Sequence, residues 1–148
     1  MARARIRMTG DKALLKRMRA LPPKMQKRVA RKGVNAATTP IGKAMRKAIG
    51  TMDEQTEVVK FAKKSIAKKS KTYPSGTAIS VVGPKTRQEI TRLGSGRVVN
   101  ISTLLWQWEH GTSRSPAAGE FRKILAGMAH STREIFIDKA AAEIEKVA

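Results

Sequence analysis

Strict alternation opens the chain. In "ARIRMT", Arg3, Arg5 and Arg7 share one face and Ala4, Ile6 and Met8 the other, the period of two expected of a half-buried strand. Thr9-Gly10-Asp11 breaks the alternation and offers a helix cap. Leu14, Met18 and Leu21, with Leu15 beside them, then follow helical spacing until Pro22-Pro23. Pro23 suits the first position of a following helix, where its missing N–H would be unpaired anyway.

Residues 24–49 carry the longest helical pattern. Val29, Ala30, Val34, Ala36, Ala37, Ile41 and Ala44 share one broad arc. Lys24, Lys27, Arg28, Arg31, Lys32 and Arg46 fall on the other side. Pro40 lies inside the pattern and predicts a kink, because its ring removes a hydrogen bond and crowds the preceding turn. Gly33, Ala36 and Ala37 are small enough to let a neighbouring element approach closely.

After Gly50, Val58, Phe61, Ala62 and Ile66 predict another helix. "AKKSKTYPSGTAISVVGP" reads as a hairpin about Pro74-Ser75-Gly76, where Pro sets φ and Gly accepts a positive one. The returning "TAISVVG" is apolar on both faces, which predicts a central strand. "QEITRLGSGRVVNI" reads either as a second hairpin about Gly94-Ser95-Gly96 or as a loop. Ser102 is placed to cap a short helix through His110, with Gly111 expected in a left-handed position after it. Residues 119–147 predict a final helix, with Phe121, Leu125, Met128 and Ile135 on a stripe that drifts to Ile137, Ala141 and Ile144. The order of elements predicts an α+β domain spanning 1–148: a small antiparallel sheet packed by a long kinked N-terminal helix and a C-terminal helix.

Charge changes the picture more than length does. The 148 residues include 31 Lys and Arg against 11 Asp and Glu, a net charge of +20. Residues 1–74 hold 21 of the cations and 4 of the acids. Such a basic half suits an acidic partner such as nucleic acid, an anionic membrane or an acidic protein surface, or else a solvated surface balanced by neighbouring subunits. Aromatics are only 4% of the chain, and the basic half holds just Phe61 and Tyr73. Contact with nucleic acid is therefore expected to be non-specific and salt-sensitive rather than base-reading. There are no cysteines, so thiolate chemistry, thiolate metal sites and disulfides are excluded. Lacking a run of about 18 apolar residues or the apolar core of a signal peptide, the chain is expected to be cytosolic when made and not a membrane partner.

The aromatic-rich stretch "LLWQWEHGTSRSPAAGEF" holds the remaining candidates. Glu109-His110 has the composition of an acid/base pair, but adjacent helical residues point about 100° apart and do not face each other. Trp106 and Trp108 are about 200° apart on a helix. One can enter the core, leaving the other to a second element or a second subunit. No HExxH, nucleophile elbow or phosphate loop is present. An enzyme is not expected, nor a cofactor or a metal.

Taken in order, these segments resemble the neck or tail-component (tail-completion) family of the head–tail joining module of long-tailed phages. The resemblance covers nearly the whole chain. It is carried by "GDKALLKRMRALPPKMQKRVARKGVNAA", the mid-helix Pro40, "AKKSIAKKSKTY", "AISVVGPK" and "WEHGTSRSPAAGEF". His110 stands where that family usually has an aromatic, and residues 86–103 are longer than its norm. The resemblance implies a structural virion protein forming a homo-oligomeric ring, six-fold in preference to twelve-fold, between head and tail tube. Its partners would be other connector, tail-terminator or tail-tube proteins, with possible non-specific contact to genomic DNA in the channel. Lys24, Lys27, Arg28, Arg31, Lys32, Trp106, Trp108 and Arg114 are the candidate interface or channel residues. Gly111, Thr112, Pro74 and Gly76 are the candidate structural turns. The alternative is a free-standing, non-specific nucleic-acid-binding module.

Overall fold

A computed structural model describes residues 12–146. The expected first strand and the Thr9-Gly10-Asp11 cap lie outside these residues. The elements run α1 (Lys12–Arg19), α2 (Pro23–Ile49), α3 (Thr56–Ser65), β1 (Ile66–Thr72), β2 (Ala78–Pro84), β3 (Glu89–Thr91), β4 (Val98–Asn100), α4 (Ile101–His110) and α5 (Glu120–Glu145). The class is α+β, with two antiparallel two-stranded sheets. β2 is therefore not a central strand. Its one fully buried side chain is Val82, while Ile79 is 38% exposed.

The described chain folds as two compact units. One comprises residues 12–40, 68–81 and 128–146. Its apolar centre is Leu14, Val29, Ala140 and Ile144, with Met18, Leu21, Phe136, Ile137 and Ala141 packed around them. Pro23 opens α2 as its missing N–H allows, and the Pro22 carbonyl accepts the amides of Met25 and Gln26. The Gln26 side-chain amide donates to the Leu21 carbonyl at 2.8 Å, satisfying an acceptor left over after α1. Gly33 makes the close approach that its size allows. A Cβ built there would lie 2.6 Å from the Phe136 ring of α5.

Within this unit the β1–β2 hairpin meets α2 through polar side chains. Thr38 and Ser80 hydroxyls lie 2.9 Å apart, as do those of Ser70 and Ser80. The Ser70 hydroxyl also donates to the Asn35 side-chain oxygen. Lys68 donates to the Asn35 carbonyl at 2.9 Å and to the Thr39 hydroxyl at 2.8 Å. The hairpin closes as its turn chemistry requires. The Tyr73 amide donates to the Thr77 carbonyl at 2.8 Å, and Gly76 takes φ 83°.

The other unit comprises residues 41–67 and 82–127. Ile41, Met45, Ile49, Val58, Ala62, Ile66, Val82, Ile101, Leu105 and Phe121 are among its buried side chains. α2 continues through Pro40 to Ile49, and Gly42 lets Val82 come near the helix. β3 and β4 pair antiparallel in the register Glu89–Asn100, Ile90–Val99 and Thr91–Val98. Residues 89–100 are thus the hairpin, not the loop, with Gly94-Ser95-Gly96 at its tip. Arg92 pairs with Glu54, and the Gln55 side-chain amide donates to the Leu93 carbonyl at 3.0 Å, so the tip is tied to the segment before α3.

Candidate assembly interface

The corner between α4 and α5 begins with a cap that differs from the one expected. Asn100, not Ser102, caps α4: its side-chain oxygen accepts from the amides of Ser102 at 3.1 Å and Thr103 at 3.3 Å. Ser102 lies inside the first turn and donates its hydroxyl to the same oxygen at 2.7 Å. The physical reason is register. Val98 and Val99 extend the strand up to Asn100, so the amides left unpaired at the helix start face Asn100.

Gly111 ends α4 with φ 79° and ψ 174°. The positive φ agrees with the sequence expectation, while ψ lies well away from the left-handed helical value. This combination belongs to a region that is essentially glycine-only. A Cβ at Gly111 would also lie 2.7 Å from the Ala117 amide nitrogen and 3.0 Å from the Ser115 carbonyl. Thr112 then closes a tight turn. Its amide donates to the Ser115 carbonyl at 2.8 Å, and its hydroxyl accepts from the amides of Arg114 and Ser115. Arg114 is left exposed on the turn.

The loop then folds back onto α4. Ala118 donates its amide to the Trp108 carbonyl at 2.9 Å, and Gly119 to the Glu109 carbonyl at 3.1 Å. Two carbonyls that the helix end leaves open are satisfied this way. The Glu109 side chain completes the corner. The residue is buried, and its two oxygens accept from the Phe121 amide at 2.8 Å and the Arg122 amide at 2.9 Å. Glu109 is a remote cap for α5, with a negative group at the positive end of a helix.

His110 does not meet that carboxylate. Its Nδ1 lies 3.0 Å from the Trp106 carbonyl, and its ring stacks on the Trp106 ring with centroids 4.9 Å apart. The two tryptophans diverge as helical geometry requires. Trp108 is half-buried and meets Phe121 edge-on at 5.6 Å. Trp106 is 48% exposed. Among the described residues, no group of three or more His, Asp or Glu is gathered as a metal site would need.

Comparison with family models, curated proteins and solved structures returned no match.

The basic face of α2 is partly engaged. Lys32 donates to the buried carboxylate of Glu143 at 2.5 Å, which Lys139 and Lys146 approach at 3.8 and 3.6 Å. The Glu143 carboxyl is held below its ordinary value by the Lys32 hydrogen bond first. Burial opposes that effect, and the charges of Lys32, Lys146 and Lys139 add to it. Lys24, Lys27, Arg28 and Arg31 carry no ion pair among the described residues, and Lys24, Arg28 and Arg31 are exposed. Sequence reasoning missed Asn100 and the capping role of Glu109. Only the position of Glu109 in the last turn of an apolar helix, shortly before a second helix, hinted at the latter.

Proposed function

We propose that the chain is a structural protein of the phage neck, forming a homo-oligomeric ring that joins the head, on its portal or adaptor side, to the tail tube. It would be made in the host cytoplasm and reside in the virion. The resemblance of the ordered segments supports this reading. The observation that carries it is the commitment of Glu109. The residue best suited to acid/base chemistry spends both oxygens on the amides of Phe121 and Arg122. What the corner presents outward is Trp106 and Arg114, residue types favoured at the energetic centres of protein contacts. A phage lacking this chain should accumulate separate heads and tails, and cryo-electron microscopy of the complete particle should place the chain in a ring between them. Normal joining without it would refute the reading.

The unpaired stripe of Lys24, Lys27, Arg28 and Arg31 favours a second reading, non-specific contact with nucleic acid. The purified protein should then bind DNA without sequence preference, and binding should collapse as salt rises to about 200 mM, as counterion release requires. Reversing Lys27, Arg28 and Arg31 to Glu should leave the fold intact and remove that binding. Salt-insensitive binding, or binding unchanged by the reversal, would discard it.

A further inference from the structure

The unit built from α1, the first part of α2, the β1–β2 hairpin and the second part of α5 sorts its charge by layer. Its segments 12–40 and 68–81 hold nine and three Lys or Arg and no Asp or Glu. The acids of its third described segment are Glu134, Asp138, Glu143 and Glu145, all on α5. α5 meets α2 where the Phe136 ring comes up to Gly33, and buried Glu143 turns the same way to take Lys32. Glu134, Asp138 and Glu145 lie about 160–180° round α5 from Phe136. They are exposed, on the side away from α2.

The cations take the opposite side. Lys24, Arg28 and Arg31 lie within about 40° of the line on α2 opposite Gly33. Asn35 continues that line, and the hairpin packs there. Ser70 donates to the Asn35 side chain, and Lys68 donates to the Asn35 carbonyl and the Thr39 hydroxyl. The layers therefore run α5, α2, hairpin. Side chains alternate along a strand, so with Lys68 and Ser70 turned to α2, Lys69 and Lys71 lie on the outer face of the hairpin. Lys24, Arg28, Arg31, Lys69 and Lys71 are exposed and carry no ion pair among the described residues. This side is thus cationic on two levels, the α2 ridge and the hairpin beyond it, with packed layers standing about 10 Å apart.

We infer that the two-level side is a binding surface for double-stranded nucleic acid, with Lys24, Arg28 and Arg31 against one phosphate backbone and Lys69 and Lys71 against the other. The occupant follows from charge and shape. An acid-free surface of unpaired cations suits a uniform polyanion. The two backbones of a duplex flank grooves about 6 and 12 Å wide, the scale of the step. A single strand would want rings on which to stack its bases. Tyr73 is the one aromatic residue of the two basic segments, and Lys71 already sits over its ring at 5.0 Å. An anionic bilayer is flat and would meet only the outer level. This rests on the nucleic-acid reading of the α2 stripe, and adds the hairpin and the duplex to it.

The test is fluorescence anisotropy of the full chain with labelled duplexes of unrelated sequence and with the matching single strands. Duplexes should bind alike, and more tightly than single strands. Lys69→Glu/Lys71→Glu and, separately, Arg28→Glu/Arg31→Glu should each weaken duplex binding about tenfold or more, and each should flatten the slope of log affinity against log salt by about two. Lys69→Gln/Lys71→Gln should weaken binding less, and circular dichroism melting should show that all three variants fold. Glu134→Lys/Asp138→Lys, on the far side of α5, should change affinity less than about twofold, because a Debye length is about 10 Å at 0.1 M salt. If that variant gains as much as the reversals lose, net charge alone is read and the inference fails. Tighter binding to single strands also overturns it. So does binding to phosphatidylserine vesicles that Lys69→Glu/Lys71→Glu abolishes and Arg28→Glu/Arg31→Glu leaves intact, which would assign the outer level to a membrane. Duplex binding lost in the α2 reversal and untouched in the hairpin variants would leave the α2 reading standing and this two-level site refuted. No duplex binding at any salt would refute both.

Discussion

Glu109 Oε2 accepts the Phe121 amide at 2.8 Å while Oε1 accepts that of Arg122 at 2.9 Å. One carboxylate thus ties the last turn of one helix to the first turn of the next. Glu109→Ala should destabilise the fold by about 2 kcal/mol or more, because a stranded buried donor costs about 1–3 kcal/mol. Glu109→Gln keeps one acceptor oxygen and should lose less. Urea unfolding of the two variants checks the order. Equal stabilities would mean that the carboxylate does not cap α5.

Gly111→Val should be more damaging than its size suggests. Its φ of 79° with ψ of 174° is costly for any side chain, and the new Cβ would press on the Ala117 nitrogen. A loss of about 1–3 kcal/mol is expected from the backbone alone. Gly111→Ala should show most of the same loss in thermal melting. A neutral Gly111→Ala would contradict the geometry described.

Gly33→Ala tests the approach of α2 to Phe136. Overpacking of this kind typically costs about 1–3 kcal/mol. Trimming the ring should relieve it, so Gly33→Ala should be better tolerated in a Phe136→Leu background than alone. A double-mutant cycle measures this coupling. Strict additivity would show that the ring gives way freely.

Glu143 makes stability depend on acid pH. Its carboxyl is lowered from 4.5 in the folded chain, so the folded state binds the proton less readily than the unfolded state. The stabilisation is complete above the unfolded value and fades as pH falls through the folded one. The difference in melting temperature between the unaltered protein and Glu143→Gln should be largest above that unfolded value and shrink as the solution is acidified. A gap that widens in acid would reverse the assigned sign.

Trp106→Ala and Trp108→Ala should separate assembly from folding. Trp106 is half exposed, and among the described residues its one ring contact is the stack on His110. Its loss should change stability within about 0.5 kcal/mol. Trp108 packs edge-on to Phe121, and its loss should cost about 1 kcal/mol or more. Denaturant midpoints give the comparison. If only Trp108→Ala is destabilising while Trp106→Ala blocks head–tail joining, the corner has one inward and one outward ring.

What the sequence revealed divides along a physical line. Periodicity displayed α2 and α5, because their buried residues recur at helical spacing within one segment. Pro74 and Gly76 displayed the first hairpin turn, because turn geometry is local, whereas Gly94 and Gly96 left the second open between hairpin and loop until the β3–β4 register decided it. The role of Glu109 was hidden because its amide partners lie 12 and 13 residues away, and a carboxylate beside a histidine reads as chemistry. Asn100 and Ser102 are both good caps, and the choice between them depends on where β4 releases the chain. The hairpin β1–β2 was legible as strands but not as faces. "AISVVG" is mostly apolar, so it takes the contacts of Lys68, Ser70 and Ser80 with α2 to reveal which side meets that helix. Lys32 shared a stripe with Lys24 and Arg28, yet its partner Glu143 lies 111 positions away.

The loop after Gly111 is fastened at both ends by backbone amides and carbonyls and by the Glu109 carboxylate, while residues 112–117 are exposed. Its framework depends little on the identity of the side chains it carries outward. That makes residues 113 and 114 a replaceable cassette. A recognition peptide or a label grafted there would be displayed on a braced frame, and substitutions could retune what the corner meets while the helices beneath it hold their places.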